Sequence, residues 1–493
     1  MSSFTYRAPQ TVEETLSILQ EQGVKARVAA GCTNILPDIE SKKITECLLV
    51  DISGLDELKG IQVIDNKITI GALTTIDQLI HSEVIEENAF VLWQACRQFA
   101  DPLVRNRATL CGNMAKPSPA ADGVVPLLAL EATVTVGSLT TGRRDLPIEE
   151  FLVGPGKSAL KPDELILSVS FQGNNPLGSF TKFGLRKAMA ISLINIAVVL
   201  EMKDGTISKA RIALGSVAPT AVRARKTEAF LCGREITPEV LAQAAELVQT
   251  EINPIGDIRA SREYRLLLAG VLLRRTIEAA IAPGSELAQR EFSDDNDRAE
   301  SLQPAQAVQE DLEDEGESIP SKVEIESVRP IDPGVSRLNE VAIRVKVNGI
   351  DIRASVLPEE SLLEFLRDKV RSFDVKCGCK KGDCGTCTVV FAGKTVKSCL
   401  VLAAQAHKQE IWTLKGMEND QLMHDLQESF AKHGAVQCGF CTPGMLVTAK
   451  SFLEQEPYPS REQIKAALAG NLCRCTGYKK IVDAVSAVAG TSV

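Results

Sequence analysis

The sequence predicts an α+β protein of several domains, and three observations carry that expectation. At 493 residues, with 44% hydrophobic content, the chain is long enough for several separate cores. Segments of strand-like alternation and of helical periodicity both occur along it. Its charge and cysteines are unevenly spread: residues 285–334 hold fifteen acidic against four basic residues, a net charge of −11, while the whole chain is at −9. The remainder therefore carries +2, so the acidic balance indicates neither a nucleic-acid face nor an acidic one. A run of this composition cannot bury enough apolar surface to order itself, and a disordered linker spanning on the order of 40 Å is expected at 285–338.

Before that run, TVEETLSILQEQG has the periodicity of a helix, and RVAAGCTNILPDI reads as a strand entering a tight turn. VRNRATLCGNMAKPSPAAD reads as a second loop, punctuated by glycine and proline between helical and apolar segments. Small residues in such loops let backbone amides approach a pyrophosphate, although most loops of this composition are ordinary turns. No G-x-G-x-x-G follows a strand, which argues against a Rossmann dinucleotide site.

After the run, VAIRVKVNGIDIRASV alternates like two strands around Asn348-Gly349, and SLLEFLRDKV follows as a helix. Nine of the fourteen cysteines then fall in the last 117 residues. Cys379, Cys384, Cys387 and Cys399 read C-x4-C-x2-C-x11-C, the plant-type spacing for a [2Fe–2S] cluster. Gly378, Gly382 and Gly385 let three ligands come from one tight loop, and Cys399 arrives after the strand-like TVVFAG and KTVKSC. Zinc knuckles pair two similar CxxC halves, which this asymmetric spacing lacks. Cys377 is left over, two positions from Cys379.

Cys438, Cys441, Cys473 and Cys475 read C-x2-C-x31-C-x-C. QCGFCTPGM and NLCRCTGY each put two cysteines at a turn, with the helical patterns LVTAKSFLEQ and SREQIKAALAG between them. Two helix pairs meeting at their turns would gather four thiolates. Spacing alone leaves a second [2Fe–2S] cluster and structural zinc both open. Two clusters in one small region would mean one-electron traffic, and hence an electron-transfer protein.

GCKKGDCGTCTV, KSCL, QCGFCTPGM and NLCRCTGY together resemble the iron–sulfur part of the xanthine dehydrogenase family of molybdenum hydroxylases. Carbon monoxide dehydrogenase of the molybdenum type and aldehyde oxidoreductases share it. The resemblance implies a ferredoxin-like β-grasp domain holding the first quartet and a four-helix domain holding the second. It also implies that the helical-domain cluster lies nearer a molybdopterin, with Gln437 and Cys475 close to that cofactor on another chain.

Upstream, AAGCTNI resembles the family's AGGT-type flavin loop, and RNRATLCGNM with Asp122 resembles its RNxGTxGGN…D stretch. ALGSVAPTAVRA and INPIGDIRASREYR extend the resemblance over most of residues 5–275, as an FAD-binding subunit. By this resemblance Ala29, Ala30, Gly31, Cys32, Thr33, Asn34 and Ile35 form the pyrophosphate loop. Thr109, Cys111, Gly112, Asn113 and Asp122 form the second loop and its flavin-binding acid. Phe99, Ile166 and Lys182 stand where some members place flavin contacts. Cys32 and Cys111 replace glycines of the family pattern. They are read as small hydrophobes with FAD retained. The sharper readings are weakened flavin binding, a redox-active thiol, or a metal centre shared with Cys47 or Cys96.

The implied domains are an FAD-binding domain at 1–172, a flavoprotein C-terminal domain at 173–284, the linker, a ferredoxin-like domain at 339–415 and a helical domain at 416–493. The implied function is the electron-transfer subunit of a molybdenum hydroxylase, an oxidoreductase component. Electrons would pass from a molybdopterin centre on a large partner subunit through two clusters to FAD, and on to NAD or another acceptor. The alternative is an iron–sulfur carrier with a degenerate flavin site that docks on a redox partner. No catalytic acid or base is expected; His81, His407, His424 and His433 form no triad. The absence of a long apolar stretch or signal pattern and the wealth of thiols lead to an expectation of a cytoplasmic hetero-oligomer without a membrane span.

Overall fold

A computed structural model describes residues 3–173, 177–186, 189–281 and 339–490. The expected acidic linker lies outside the described residues. The first core is built on two sheets. Strands β1 (Phe4–Arg7), β2 (Ala26–Ala29) and β3 (Cys47–Asp51) pair in parallel in the order β1-β3-β2. Parallel strands need crossover connections, and the helix Val12–Gln22 supplies the one from β1 to β2. Thr11 caps that helix, and Leu16, Ile18 and Leu19 face the core.

The second sheet is antiparallel, in the order β4-β5-β10-β6-β7. Its strands are β4 (Ile61–Ile64), β5 (Lys67–Gly71), β6 (Thr133–Ser138), β7 (Gly142–Pro147) and β10 (Leu165–Gln172). A small hairpin of β8 (Leu152–Gly154) and β9 (Lys157–Ser158) precedes β10. Helices fill the span between β5 and β6, among them Phe90–Arg97, Pro102–Arg105, Leu110–Ala115 and Val124–Ala129.

A third, antiparallel sheet joins β11 (Leu177–Phe183), β12 (Ile194–Lys203), β13 (Thr206–Gly215) and β14 (Val222–Arg223) in chain order. β12 is apolar on both faces because both are covered. Ile196, Val198 and Leu200 join a core with Leu272 and Leu273 of the helix Arg262–Ile281, while Ala197 and Val199 join the first core.

In the C-terminal half, β15 (Val341–Val347) and β16 (Ile350–Val356) form the expected hairpin, with Asn348 and Gly349 both at positive φ as a two-residue turn demands. With β17 (Thr388–Phe391), β18 (Lys394–Lys397) and β19 (Glu410–Trp412) they make a mixed sheet ordered β16-β15-β19-β17-β18. The segment after the hairpin starts as the helix Leu362–Glu364, closed by a Ser361/Glu364 capping box, and loosens into a π turn at Phe365–Lys369. The final core packs four helices: Gln421–Lys432, Thr442–Gln455, Arg461–Ala467 and Lys479–Val488.

Candidate functional site

The first cysteine loop bends around one sulfur. The N–H groups of Lys381, Asp383 and Cys384 donate to Cys379 Sγ at 3.4, 3.3 and 3.4 Å. Amides aimed at a sulfur stabilise its thiolate and any cluster it holds. Cys379 is the sulfur on which these three amides converge. Cys377 is half-buried against the neighbouring core, and burial pushes its thiol up.

The thiols meet in pairs. Cys384 and then the loop amides pull Cys379 down to about 4, while Cys384 itself is pushed up by Cys379. Cys399 pulls Cys387 down to about 7 and is itself pushed up by it. In the second quartet Cys475 Sγ lies 3.6 Å from Cys438 Sγ. Cys441 is raised to about 12 by burial and by Cys473, whose own thiol is lowered because the Thr476 hydroxyl and backbone N–H groups outweigh burial.

Among the described residues no three His, Cys, Asp or Glu side chains gather as they would around a single ion. Thiols that meet two by two suit a two-iron core, where each iron takes two cysteines. The donor set therefore fits [2Fe–2S] at both quartets.

The two cysteine sites also touch. Leu472 N donates to the Cys384 carbonyl at 2.8 Å, and Asn471 Nδ2 donates to the Gly385 carbonyl at 3.0 Å. Gly385 has φ +69°, and a Cβ there would lie 2.2 Å from the Gly470 carbonyl, so only glycine admits this approach. The first quartet is partly or wholly buried, whereas Cys438 and Cys475 are exposed. Exposed Val436, Phe440, Leu472 and Tyr478 lie in sequence beside the second quartet's ligands.

In the N-terminal half, β2 runs into the turn Ala30–Asn34 and then the helix Ile35–Glu40. Among the described residues the backbone N–H groups of Gly31, Cys32, Thr33, Asn34 and Ile35 donate to no protein acceptor, leaving a row of donors suited to phosphate oxygens. Gly31 packs on the Arg107 backbone, where a Cβ would lie 1.9 Å from the carbonyl oxygen, and this joins the two glycine-bearing segments.

The second segment differs from the expected loop. It contains the helix Leu110–Ala115, capped by Thr109 Oγ1 accepting from Gly112 N at 3.0 Å. Cys111 is therefore turned into the core, and burial pushes its thiol up to about 12. Asn113 Oδ1 accepts from Gly123 N at 3.2 Å, tying that helix to the segment carrying Asp122. Asp122 accepts from Lys182 Nζ at 2.6 Å, Ser192 Oγ at 2.7 Å and Asn195 Nδ2 at 3.0 Å. Ile166 is buried at a bulge of β10, and the half-buried Phe99 offers its carbonyl to Arg105. The free amides, the close approach at Gly31 and the buried acid fit a dinucleotide cofactor.

Cys32 is buried with φ 62°, a left-handed backbone that glycine adopts freely. Its thiol reaches Gln405 Oε1 at 3.6 Å and the Ala30 carbonyl at 3.7 Å. Gln405 belongs to the C-terminal half; it accepts from Arg107 Nη2 at 2.6 Å and donates to the Ala30 carbonyl and to Asp51. Sequence reasoning did not find Gln405, Asp101, Arg107, Lys397 or Asn471. Their partners are remote in sequence, and the one local signal was Asp101-Pro102, a helix-start dipeptide.

Fold and site define a flavin- and iron–sulfur-carrying oxidoreductase component that transfers electrons. The FAD binding domain in molybdopterin dehydrogenase matches residues 2–171, and the CO dehydrogenase flavoprotein C-terminal domain matches 179–280. The 2Fe-2S iron-sulfur cluster binding domain matches 345–414, and the [2Fe-2S] binding domain matches 413–486.

The carbon monoxide dehydrogenase medium chain of Hydrogenophaga pseudoflava is 31% identical, over 57% of this chain and 97% of the relative. The nicotinate dehydrogenase small FeS subunit of Eubacterium barkeri is 46% identical, over 30% of this chain and 94% of the relative. A solved structure of the Hydrogenophaga pseudoflava carbon monoxide dehydrogenase superposes with a TM-score of 0.55 at 31% identity, covering 56% of this chain and 97% of that one. The chain belongs to the molybdenum hydroxylase family, as a fusion of its flavin-binding and iron–sulfur subunits.

Proposed function

We propose that this chain takes electrons from a molybdopterin centre on a separate large subunit and delivers them to FAD, and then to NAD or another acceptor. The observation that carries the direction is the joint between the cysteine sites. The Cys438/Cys441/Cys473/Cys475 quartet has exposed thiols, and its loop hydrogen-bonds through Leu472 and Asn471 to the more buried loop of Cys384. That inner loop in turn packs on the flavin half through Lys397 and Asp101. One-electron carriers in this order would link a partner surface to the flavin.

The eight cysteines are assigned as cluster ligands. Ala29–Ile35, Thr109, Gly112, Asn113, Asp122, Phe99, Ile166 and Lys182 are assigned to FAD. Free amides would bind the pyrophosphate, and Asp122 would be held for the flavin by Lys182, Ser192 and Asn195. Cys111 is assigned to packing, because it faces the core. The domain bounds are taken as 1–172, 173–284, 339–415 and 416–493. A hetero-oligomer in the cytoplasm follows from this role; no described helix is long and apolar enough to cross a membrane.

The test is cofactor analysis of the purified chain. About four irons per chain are expected, with two distinct [2Fe–2S] signals and FAD released on denaturation. Cys399→Ser should alter one signal and leave the other. Stoichiometric zinc, or about two irons per chain, would remove the two-cluster assignment. Full iron without flavin would leave the carrier alternative.

A further inference from the structure

Lys397 ends β18, two residues before Cys399, and its side chain has no exposure to solvent. Its ammonium donates to Asp101 Oδ2 at 2.9 Å, to the Gly382 carbonyl at 2.7 Å and to the Asp383 carbonyl at 3.5 Å. All three donors of the group are in use. Asp101 is equally buried and belongs to the flavin half. Its other oxygen caps the helix Pro102–Arg105, accepting from Leu103 N at 3.0 Å and Val104 N at 3.2 Å. Gly470 of the helical domain packs there as well; a Cβ on it would lie 2.5 Å from Asp101 Oδ1. Three domains therefore meet at one buried ion pair.

Burying such a pair is costly, and well-packed apolar residues of the same volume usually serve stability as well or better. A role beyond stability is indicated by what the ammonium touches. The Gly382 carbonyl and the Asp383 N–H belong to the same peptide unit. The carbonyl accepts from Lys397, while the N–H donates to Cys379 Sγ at 3.3 Å. A continuous chain thus runs from the Asp101 carboxylate through the Lys397 ammonium and one peptide group to a ligand sulfur. A cation on the carbonyl polarises the peptide and strengthens its N–H as a donor. Hydrogen bonds to cluster sulfurs stabilise the reduced, more negative state and so raise the reduction potential.

We propose that Lys397 is a positioning residue that both pins the Cys379–Cys384 loop to the flavin domain and raises the potential of the first cluster, with Asp101 moderating that effect. The proposal rests on the reading of the Cys379/Cys384/Cys387/Cys399 quartet as a [2Fe–2S] ligand set.

The test is a redox titration of the full, cofactor-loaded chain, followed by electron paramagnetic resonance. The first cluster's signal is identified as the one that Cys399→Ser alters, and the second cluster serves as an internal reference. Lys397→Met should lower the first cluster's potential and leave the second unchanged. Asp101→Asn removes the anion but keeps the lysine, so the first potential should move the other way. A merely structural pair predicts cofactor loss or a shift in the same direction for both variants. Lys397→Gln keeps a donor to the Gly382 carbonyl without the charge and should give an intermediate potential; it also serves should Lys397→Met fail to fold. Unchanged first-cluster potentials in every variant that assembles, or shifts of the same sign for Lys397→Gln and Asp101→Asn, would overturn the proposal. Absence of [2Fe–2S] signals from the unmodified chain would instead overturn the ligand assignment beneath it.

Discussion

At the scale of single residues, the two cysteines that depart from the family pattern turn out to differ in kind. Cys32 sits in a left-handed backbone, where an L side chain costs about 1–2 kcal/mol. Its thiol is turned to Gln405 across the domain boundary rather than left in an open cleft. Burial pushes it up to about 12, against the lowering influence of Arg107, so it is a poor nucleophile near neutral pH. Cys111 lies in a short helix and is buried in the first core. Cys111→Gly removes a small buried side chain and adds backbone freedom, so it should destabilise the flavin half by about 1–3 kcal/mol. Iron content, flavin content and acceptor reduction should stay within a few-fold of the parent. Thermal unfolding and cofactor analysis of the variant check this, and loss of iron would return Cys111 to the metal-binding reading.

At the scale of elements, spacing decided more than propensity. The C-x4-C-x2-C loop was legible because a cluster demands both its cysteines and its glycines at fixed positions, and Asn348-Gly349 was legible because the turn requires positive φ twice. The stretch from Val104 to Asp122 was less legible. Its glycine and prolines signal a loop, yet Thr109 caps a six-residue helix inside it, and so short a helix shows no periodicity to read. The contact between the two cysteine loops had no sequence signal either, since it joins Gly385 to Gly470 and Asn471 across more than eighty residues. This contact yields a prediction. Gly385→Ala places a methyl group against the Gly470 carbonyl and forces alanine to a φ of +69°. Both loops have to shift, and iron in the purified variant should fall clearly below the parent's. Full iron with both resonance signals unchanged would show that the loops tolerate separation.

At the scale of the whole molecule, a linker of the composition found at residues 285–334 would by itself leave the two halves free to part. The described residues on either side argue for a different behaviour. Lys397 and Asp101 are both fully buried between the halves, so separating them would strand one charge on each face unless water enters. Gln405 adds bonds to Ala30, Asp51 and Arg107; Asn106 Nδ2 donates to the Thr395 carbonyl at 2.6 Å, and Lys394 pairs with Asp77 at 2.5 Å. Exposed pairs such as Lys394–Asp77 weaken in salt, but buried ones are screened little. A site-specific protease sequence inserted between Glu300 and Ser318 should therefore yield two fragments that co-elute on size exclusion and keep flavin and iron in one peak. Raising the salt should not split them, whereas cleaved Lys397→Met protein, with Asp101 left unpaired, should separate far more readily. Separate elution of the unmodified fragments at ordinary salt would show that the linker, rather than the buried interface, holds the flavin and cluster halves together.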